Sequence, residues 1–434
     1  MDLEACYDVF EVILLGKRHV TLPDKLEGLF IRLEEIVLAN SGENDFEEIL
    51  KLIMAKLWCE KNETEDYIDS GTSDDTVARV NKLLFEMNKH WKGVLHEDRT
   101  KLSPGHVDVC VKLLNNYKLS EYSFQALDAF FEFIVSRTSK GSKGQFFTPR
   151  YIIDFCIKII APRYHENILD PASGSGAFLL HSYNYYNDHH NSTGHNLWGF
   201  DFDEKAVRVS KALMYISGVS QANVHKINSL ILPELQENLF IENVASITSI
   251  EDCLRINKCG FKKFDIIVTN PPFAGEINES KFLDNYVVAK GKSRIQRDAL
   301  FIERCIELLN PGGRMAIILP NNKFGSNNWA YLRKWILHHA KIVGVIGLPR
   351  NVFMPHTPVK TGILFLQKRK NSVTNIPNEE IFFGISELAG KDSRGNLQYK
   401  TDDQAFENVD HDLDEIYKDF KQFISQNYSS WVNE

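Results

Sequence analysis

The stretch Phe264-Asp265-Ile266-Ile267-Val268-Thr269-Asn270-Pro271-Pro272-Phe273 reads as a buried strand with a stiff exit. The apolar run up to Thr269 has the length and β-branched content of a core strand. Consecutive prolines cannot continue it: they remove two backbone donors and fix φ. Asn270 and Phe273 are therefore expected at fixed positions just beyond the sheet. That arrangement suits a pocket for a flat nitrogen heterocycle. Asn270 Oδ1 and the Pro271 carbonyl can both accept hydrogen bonds from an amino group, and Phe273 offers a stacking face. A plain strand-end loop with a packed phenylalanine is the alternative.

Working outward, apolar runs at 167–170, 197–201, 224–227, 264–269, 314–319, 342–347 and 361–366 alternate with helical patterns. Seven short strands with helical crossovers predict a doubly wound α/β sheet. Such sheets bind ligands beyond the carboxyl ends of their strands. Asp170, Asp201 and Asn270 follow the first, second and fourth strands and are expected together there. Residues 1–140 instead show helical spacing: Leu26, Leu29, Phe30, Leu33, Ile36 and Val37, then Phe46, Ile49, Leu50, Ile53 and Leu57, then Val77, Val80, Leu84, Met87 and Trp91. The expected organisation is a helical domain at 1–140, an α/β domain at 141–370 and an extension at 371–434. The extension carries one more strand-like run, Ile381-Phe382-Phe383, and an amphipathic helix around Phe420 that packs on its own core or docks a partner subunit. The polar stretch 275–297 is read as a cover, a contact for a substrate strand, or an ordinary loop.

The chain has 434 residues, 43% of them hydrophobic, a net charge of −8 and seven cysteines without a CxxC pair. No apolar run approaches a membrane span, and the cysteine usage fits a reducing cytoplasm. An acidic chain is a poor general binder of nucleic acid on its own. Its basic residues form local clusters: Lys140, Lys143 and Arg150; Lys290, Lys292, Arg294 and Arg297; Lys368, Arg369 and Lys370.

Asp170-Pro171-Ala172-Ser173-Gly174-Ser175-Gly176-Ala177-Phe178 follows the first strand and opens a helix. Its small residues allow close backbone approach to a ligand. Leu179 stands where a dinucleotide fingerprint has its third glycine, which speaks against NAD. Asp201 is placed to hold two ribose hydroxyls. A nucleoside cofactor with no pyrophosphate to cradle points to S-adenosylmethionine. Asp201, Asp203 and Glu204 lack a nearby histidine, so no metal site is expected.

Gly144-Gln145-Phe146-Phe147-Thr148-Pro149, the DPASGSGAF segment at 170–178 and NPPF at 270–273 together resemble the amino-group DNA methyltransferases. More narrowly, they resemble the modification subunits of type I restriction–modification systems, which methylate adenine N6. The resemblance implies a Rossmann-like, class I methyltransferase sheet of seven strands with the last antiparallel, preceded by an all-helical N-terminal domain. It implies a cofactor site from Gln145, Phe147, Thr148, Asp170, Ala172, Gly174, Gly176, Phe178, Asp201, Phe202, Asn228 and Ser229. The catalytic pocket it implies is Asn270, Pro271, Pro272 and Phe273. Asn228 departs from the acid that relatives often carry near the third strand's end. The implied partners are DNA, one specificity subunit per two modification subunits, and a restriction subunit, in the cytoplasm of a bacterium or archaeon at the nucleoid. An RNA or protein-glutamine methyltransferase, or an inactive cofactor-binding scaffold, are the other readings.

Overall fold

The computed structural model describes residues 22–40, 45–64, 72–122, 126–134 except 128 and 132, 148–187, 193–233, 249–400, 409–428 and 431. The chain divides into two compact units, Met1–Lys140 and Gly141–Glu434.

The first unit contains helices α1 (Leu22–Asn40), α2 (Asp45–Lys61), α3 (Ser73–His90) and α4 (Pro104–Asn115). The residues at helical spacing turn inward as expected: Leu26, Phe30, Leu33, Ile49, Leu50, Ile53, Val80, Leu84 and Met87 are buried, while Ile36 and Val77 are half-buried. Helix α3 opens with a capping box. The Thr72 hydroxyl accepts from the Asp75 N–H while the Asp75 carboxylate accepts from the Thr72 N–H.

The second unit is an α/β sheet. Its strands are β1 (Ile168–Asp170), β2 (Leu197–Asp201), β3 (Asn223–Lys226), β4 (Phe264–Thr269), β5 (Glu276–Ile277), β6 (Ile295–Gln296), β7 (Leu309–Pro320), β8 (Ala340–Gly347), β9 (Thr361–Lys368) and β10 (Phe382–Ile385). Its helices are α5 (Arg150–Ile160), α6 (Ala177–Asn187), α7 (Glu204–Ile216), α8 (Ile250–Ile256), α9 (Arg297–Leu308), α10 (Ala330–His339) and α11 (Leu413–Asn427). The main sheet runs β10-β8-β9-β7-β4-β1-β2-β3. All its neighbours pair in parallel except β9, which is antiparallel to both β7 and β8.

The sheet thus has eight strands, where seven were expected. The added strand, β10, is an edge. It pairs only with β8, and its residues alternate between half-buried and exposed. Its inward ring, Phe382, stacks on Phe420 of α11 at 4.6 Å. Phe420 also fills the space over Gly344, where a Cβ would lie 2.3 Å from its ring. The terminal helix therefore packs on its own sheet through Leu413, Phe420 and Ile424, all buried. Trp431 anchors the chain beyond it, donating from Nε1 to the Ile159 carbonyl at 2.8 Å.

Strand β7 is longer than its apolar core, because Leu309 already pairs with Phe264 before a register shift absorbs Asn310 to Gly313. The stretch 275–297 is closed by the β5–β6 pair. The Glu303 carboxylate of α9 accepts the Val287 and Val288 N–H groups, both at 2.8 Å.

Truncating Phe420 to alanine would empty the space over Gly344 and strand Phe382. The expected loss is about 3–5 kcal/mol in urea unfolding of this unit. A loss below about 1 kcal/mol would show that α11 is not part of the core.

Candidate functional site

Parallel pairing places three strand ends at one edge. Asp170 of β1 pairs with Gly199 of β2, and Leu169 pairs with Ile267 of β4. Asp201 ends β2, and Asn270 comes directly after β4. The sequence-predicted trio is brought together by the sheet itself.

The glycine loop is pinned from below. The Ser173 N–H donates to the Phe200 carbonyl at 2.9 Å, and the Ala172 N–H donates to Asp170 Oδ1 at 3.1 Å. The Gly174 N–H donates to Asp201 Oδ2 at 2.9 Å. Asp201 Oδ1 accepts from the Asp203 N–H at 2.8 Å. Gly174 and Gly176 both adopt positive φ, +50° and +83°. A Cβ on Gly174 would meet nothing within 4 Å, so this glycine faces open space. A Cβ on Gly176 would lie 2.2 Å from Ser210 Oγ on α7, so that glycine is a close-packing point.

Burial disfavours charge here. It pushes the Asp170 carboxyl up to about 7, against the opposing pull of the Thr269 hydroxyl and the Ala172 N–H. It pushes Asp201 up to about 6, opposed by the Asp203 and Gly174 N–H groups. Beside Asp201 the Phe202 ring is 75% exposed, a free aromatic face at the carboxyl edge.

The pocket after β4 is similarly built. Pro271 is buried. The Phe273 ring meets Phe353 edge to face at 5.6 Å. Asn270 Nδ2 donates to Thr148 Oγ1 at 2.9 Å, which directs the amide oxygen the other way.

Not every expected cofactor residue presents its side chain to this edge. Phe178 is 4% exposed and belongs to the core under α6. The buried Ser229 hydroxyl donates to the Pro171 carbonyl at 2.6 Å, so it ties the loop after β3 to the glycine loop. Asn228 is half-buried, and its Oδ1 accepts from the Leu230 N–H at 3.2 Å. Ala172 contributes its backbone. Gln145 and Phe147 lie outside the described residues, as do Lys140 and Lys143.

Three residues that no motif indicated complete the frame: Thr269 against Asp170, Phe353 against Phe273, and Arg304. The Arg304 guanidinium is 2% exposed; it holds the Ser229 carbonyl at 2.9 Å and Glu251 at 2.7 Å. A lone arginine on the apolar face of α9 was the only sequence signal among them.

Asp203 caps α7 through the Lys205 N–H, and Glu204 pairs with Lys226 at 2.6 Å. Among the described residues no group of three or more histidine, cysteine or acidic side chains is arranged to hold a metal. No described helix is long and apolar enough to cross a membrane. Of the basic clusters, Arg369 is buried against Glu379 and Lys368 donates to the Leu309 carbonyl at 2.9 Å. Both therefore serve the fold. Lys290, Lys292, Arg294 and Arg297 are exposed beside the pocket stretch.

The glycine loop under the acidic end of β2 lies one strand from the Asn-Pro-Pro-Phe turn, on a sheet with one antiparallel strand. The chain belongs to the N-6 DNA Methylase family, whose model matches residues 124–432. It is 27% identical over 344 residues to the EcoEI type I restriction enzyme methylase subunit of Escherichia coli, covering 75% of this chain and 64% of that protein. It is 24% identical over 362 residues to the StySPI methylase subunit of Salmonella potsdam, covering 78% and 65%. The chain therefore spans less than two thirds of these relatives. Among solved structures it resembles a modification subunit of a putative type I restriction enzyme from Vibrio vulnificus, with a TM-score of 0.59 at 17% identity over 89% of this chain and 87% of that one. At that identity the likeness speaks to the fold.

Replacing Gly176 with alanine should destabilise the unit by about 2–4 kcal/mol, combining the positive-φ cost with the clash at Ser210. Chemical denaturation checks this. A change within about 0.5 kcal/mol would show that the loop and α7 separate easily.

Proposed function

We propose that this chain transfers a methyl group from S-adenosylmethionine to adenine N6 in DNA, as the modification subunit of a type I restriction–modification system. The observation that carries the reading is the Asn270 amide, held at the end of β4 with its nitrogen on Thr148. It stands one strand away from the glycine loop. Family membership and the named methylase subunits among its relatives support the same substrate class.

The residues present fit the cofactor. Gly174 opens onto free space, Asp201 keeps acceptor capacity for ribose hydroxyls beyond its two backbone contacts, and Phe202 offers a ring for the base. S-adenosylmethionine supplies an electrophilic methyl on its sulfonium. The chain's own part is to hold the nucleophile. A target adenine reaches the pocket only out of the stack, because N6 is inaccessible within the duplex. Phe273, braced by Phe353, then stacks on the base. Asn270 Oδ1 and the Pro271 carbonyl accept the amino hydrogens. The N6 lone pair is delocalised into the ring, so two acceptors favour the pyramidal amine and offset the positive charge that builds on it. Fixed placement of the amine contributes further. The prolines and the Thr148 bond provide that fixity without any rearrangement at the moment of transfer.

An acidic chain of this kind needs a partner to choose the site. A specificity subunit would supply base reading and affinity, and a restriction subunit would join the same assembly. The helical first unit is proposed as a clamp on DNA or a partner contact.

Three outcomes test this. Methyl label from S-adenosylmethionine should appear as N6-methyladenine in unmethylated DNA when the specificity subunit is present. Label only in RNA or protein would overturn the substrate. Asn270→Ala should lower turnover by about two orders of magnitude or more while leaving the cofactor dissociation constant within about twofold. Equal losses in both would remove Asn270 from the chemistry. Ribose hydroxyls donate to the ionised form of Asp201, so binding favours loss of its proton. Because burial holds that carboxyl at about 6, cofactor affinity measured by calorimetry should strengthen as pH rises through that value and level off above it. A flat profile, or weakening with rising pH, would take Asp201 out of the cofactor site.

A further inference from the structure

We infer that Thr148 is a positioning residue for Asn270, a role that rests on reading Asn270 as the acceptor for the target amine. The Asn270 Nδ2 group donates to Thr148 Oγ1 at 2.9 Å. The oxygen and nitrogen of a side-chain amide occupy opposite ends of one plane, so anchoring the nitrogen fixes where the oxygen points. The terminal torsion of asparagine is broad and has no strong preference of its own. Released, the amide would turn over readily and offer N–H donors to an amine that is itself a donor. Such a face would repel the substrate it has to orient.

Both ends of the bond are held. Asn270 sits between strand β4 and two prolines. Thr148 is 9% exposed and precedes Pro149, which biases it to an extended backbone. The Pro149 carbonyl accepts from the Ile152 and Ile153 N–H groups at 2.9 and 3.2 Å, locking the start of α5. Tyr151, Ile152, Ile153 and Phe155 of that helix are buried. The hydroxyl is thus presented by a packed helix start to an amide on a packed strand end, 122 residues away in the chain. This is a role toward the pocket, distinct from the contact with the cofactor's methionine end that the Phe-Thr-Pro motif implies.

The test compares Thr148→Val, which keeps the shape and removes the acceptor, with Thr148→Ser, which keeps the hydroxyl. Each is assayed as the complex with its specificity subunit on unmethylated DNA. The valine variant should lose roughly five- to tenfold in kcat, the factor carried by one ordinary hydrogen bond, and the serine variant should recover most of it. The DNA KM and the S-adenosylmethionine dissociation constant should both stay within about twofold. Wild-type kcat in the valine variant would overturn the inference. So would a loss of cofactor affinity matching the loss of turnover.

A second readout does not need turnover. The Asn270 side-chain NH2 signals, assigned by their disappearance in Asn270→Asp, should exchange with solvent faster in the valine variant than in wild type. If wild-type protein transfers no methyl to DNA, it is the reading of Asn270 that fails. Equal exchange rates in the two proteins would instead show that Thr148 does not hold the amide.

Discussion

The site depends on one constraint, the parallel register of β1 between β2 and β4. With Asp170 opposite Gly199 and Leu169 opposite Ile267, the carboxyl ends of three strands open at one edge. The chemistry is then set by the residues at each strand's exit. A glycine loop leaves β1, an acid ends β2, and an amide with two prolines leaves β4. A slip of one residue in either pairing would turn these side chains to the other face of the sheet.

The frame is held by groups that have given up their freedom to backbone contacts. The Asp201 carboxylate takes two N–H groups, and the Ser229 hydroxyl and Arg304 guanidinium tie the loop after β3 to the glycine loop and to α8. A buried donor or acceptor without a partner costs about 1–3 kcal/mol, so a satisfied network of this kind strongly favours one geometry. The same burial that makes these contacts strong raises the carboxyl groups of Asp170 and Asp201. The ends of β1 and β2 thus carry carboxyl groups that burial moves toward neutrality, while the turn after β4 presents neutral groups.

Much of this geometry was legible in the sequence because it is local. The runs 197–201 and 264–269 are strands with those bounds, and the residues after them fall where a doubly wound sheet must put them. The features that sequence reasoning missed are non-local. The run at 381–383 was legible as a strand, but its place as the eighth strand of the main sheet was not, because its inner face is covered by Phe420 and Phe423, far along the chain. Ser229 looks like a ligand-facing hydroxyl, but its partner is a carbonyl 58 residues earlier. Phe178 reads as part of a motif, yet its ring points into the core.

The central claim is that this edge grips a planar amine of an extruded base. The most direct measurement is a structure of the chain with its specificity subunit, a cofactor analogue and target DNA. The expected result is an adenine out of the stack, its face on Phe273 and its N6 about 3 Å from both Asn270 Oδ1 and the Pro271 carbonyl. A cytosine in the pocket, or a bound duplex with every base still stacked and N6 remote from Asn270, would contradict it.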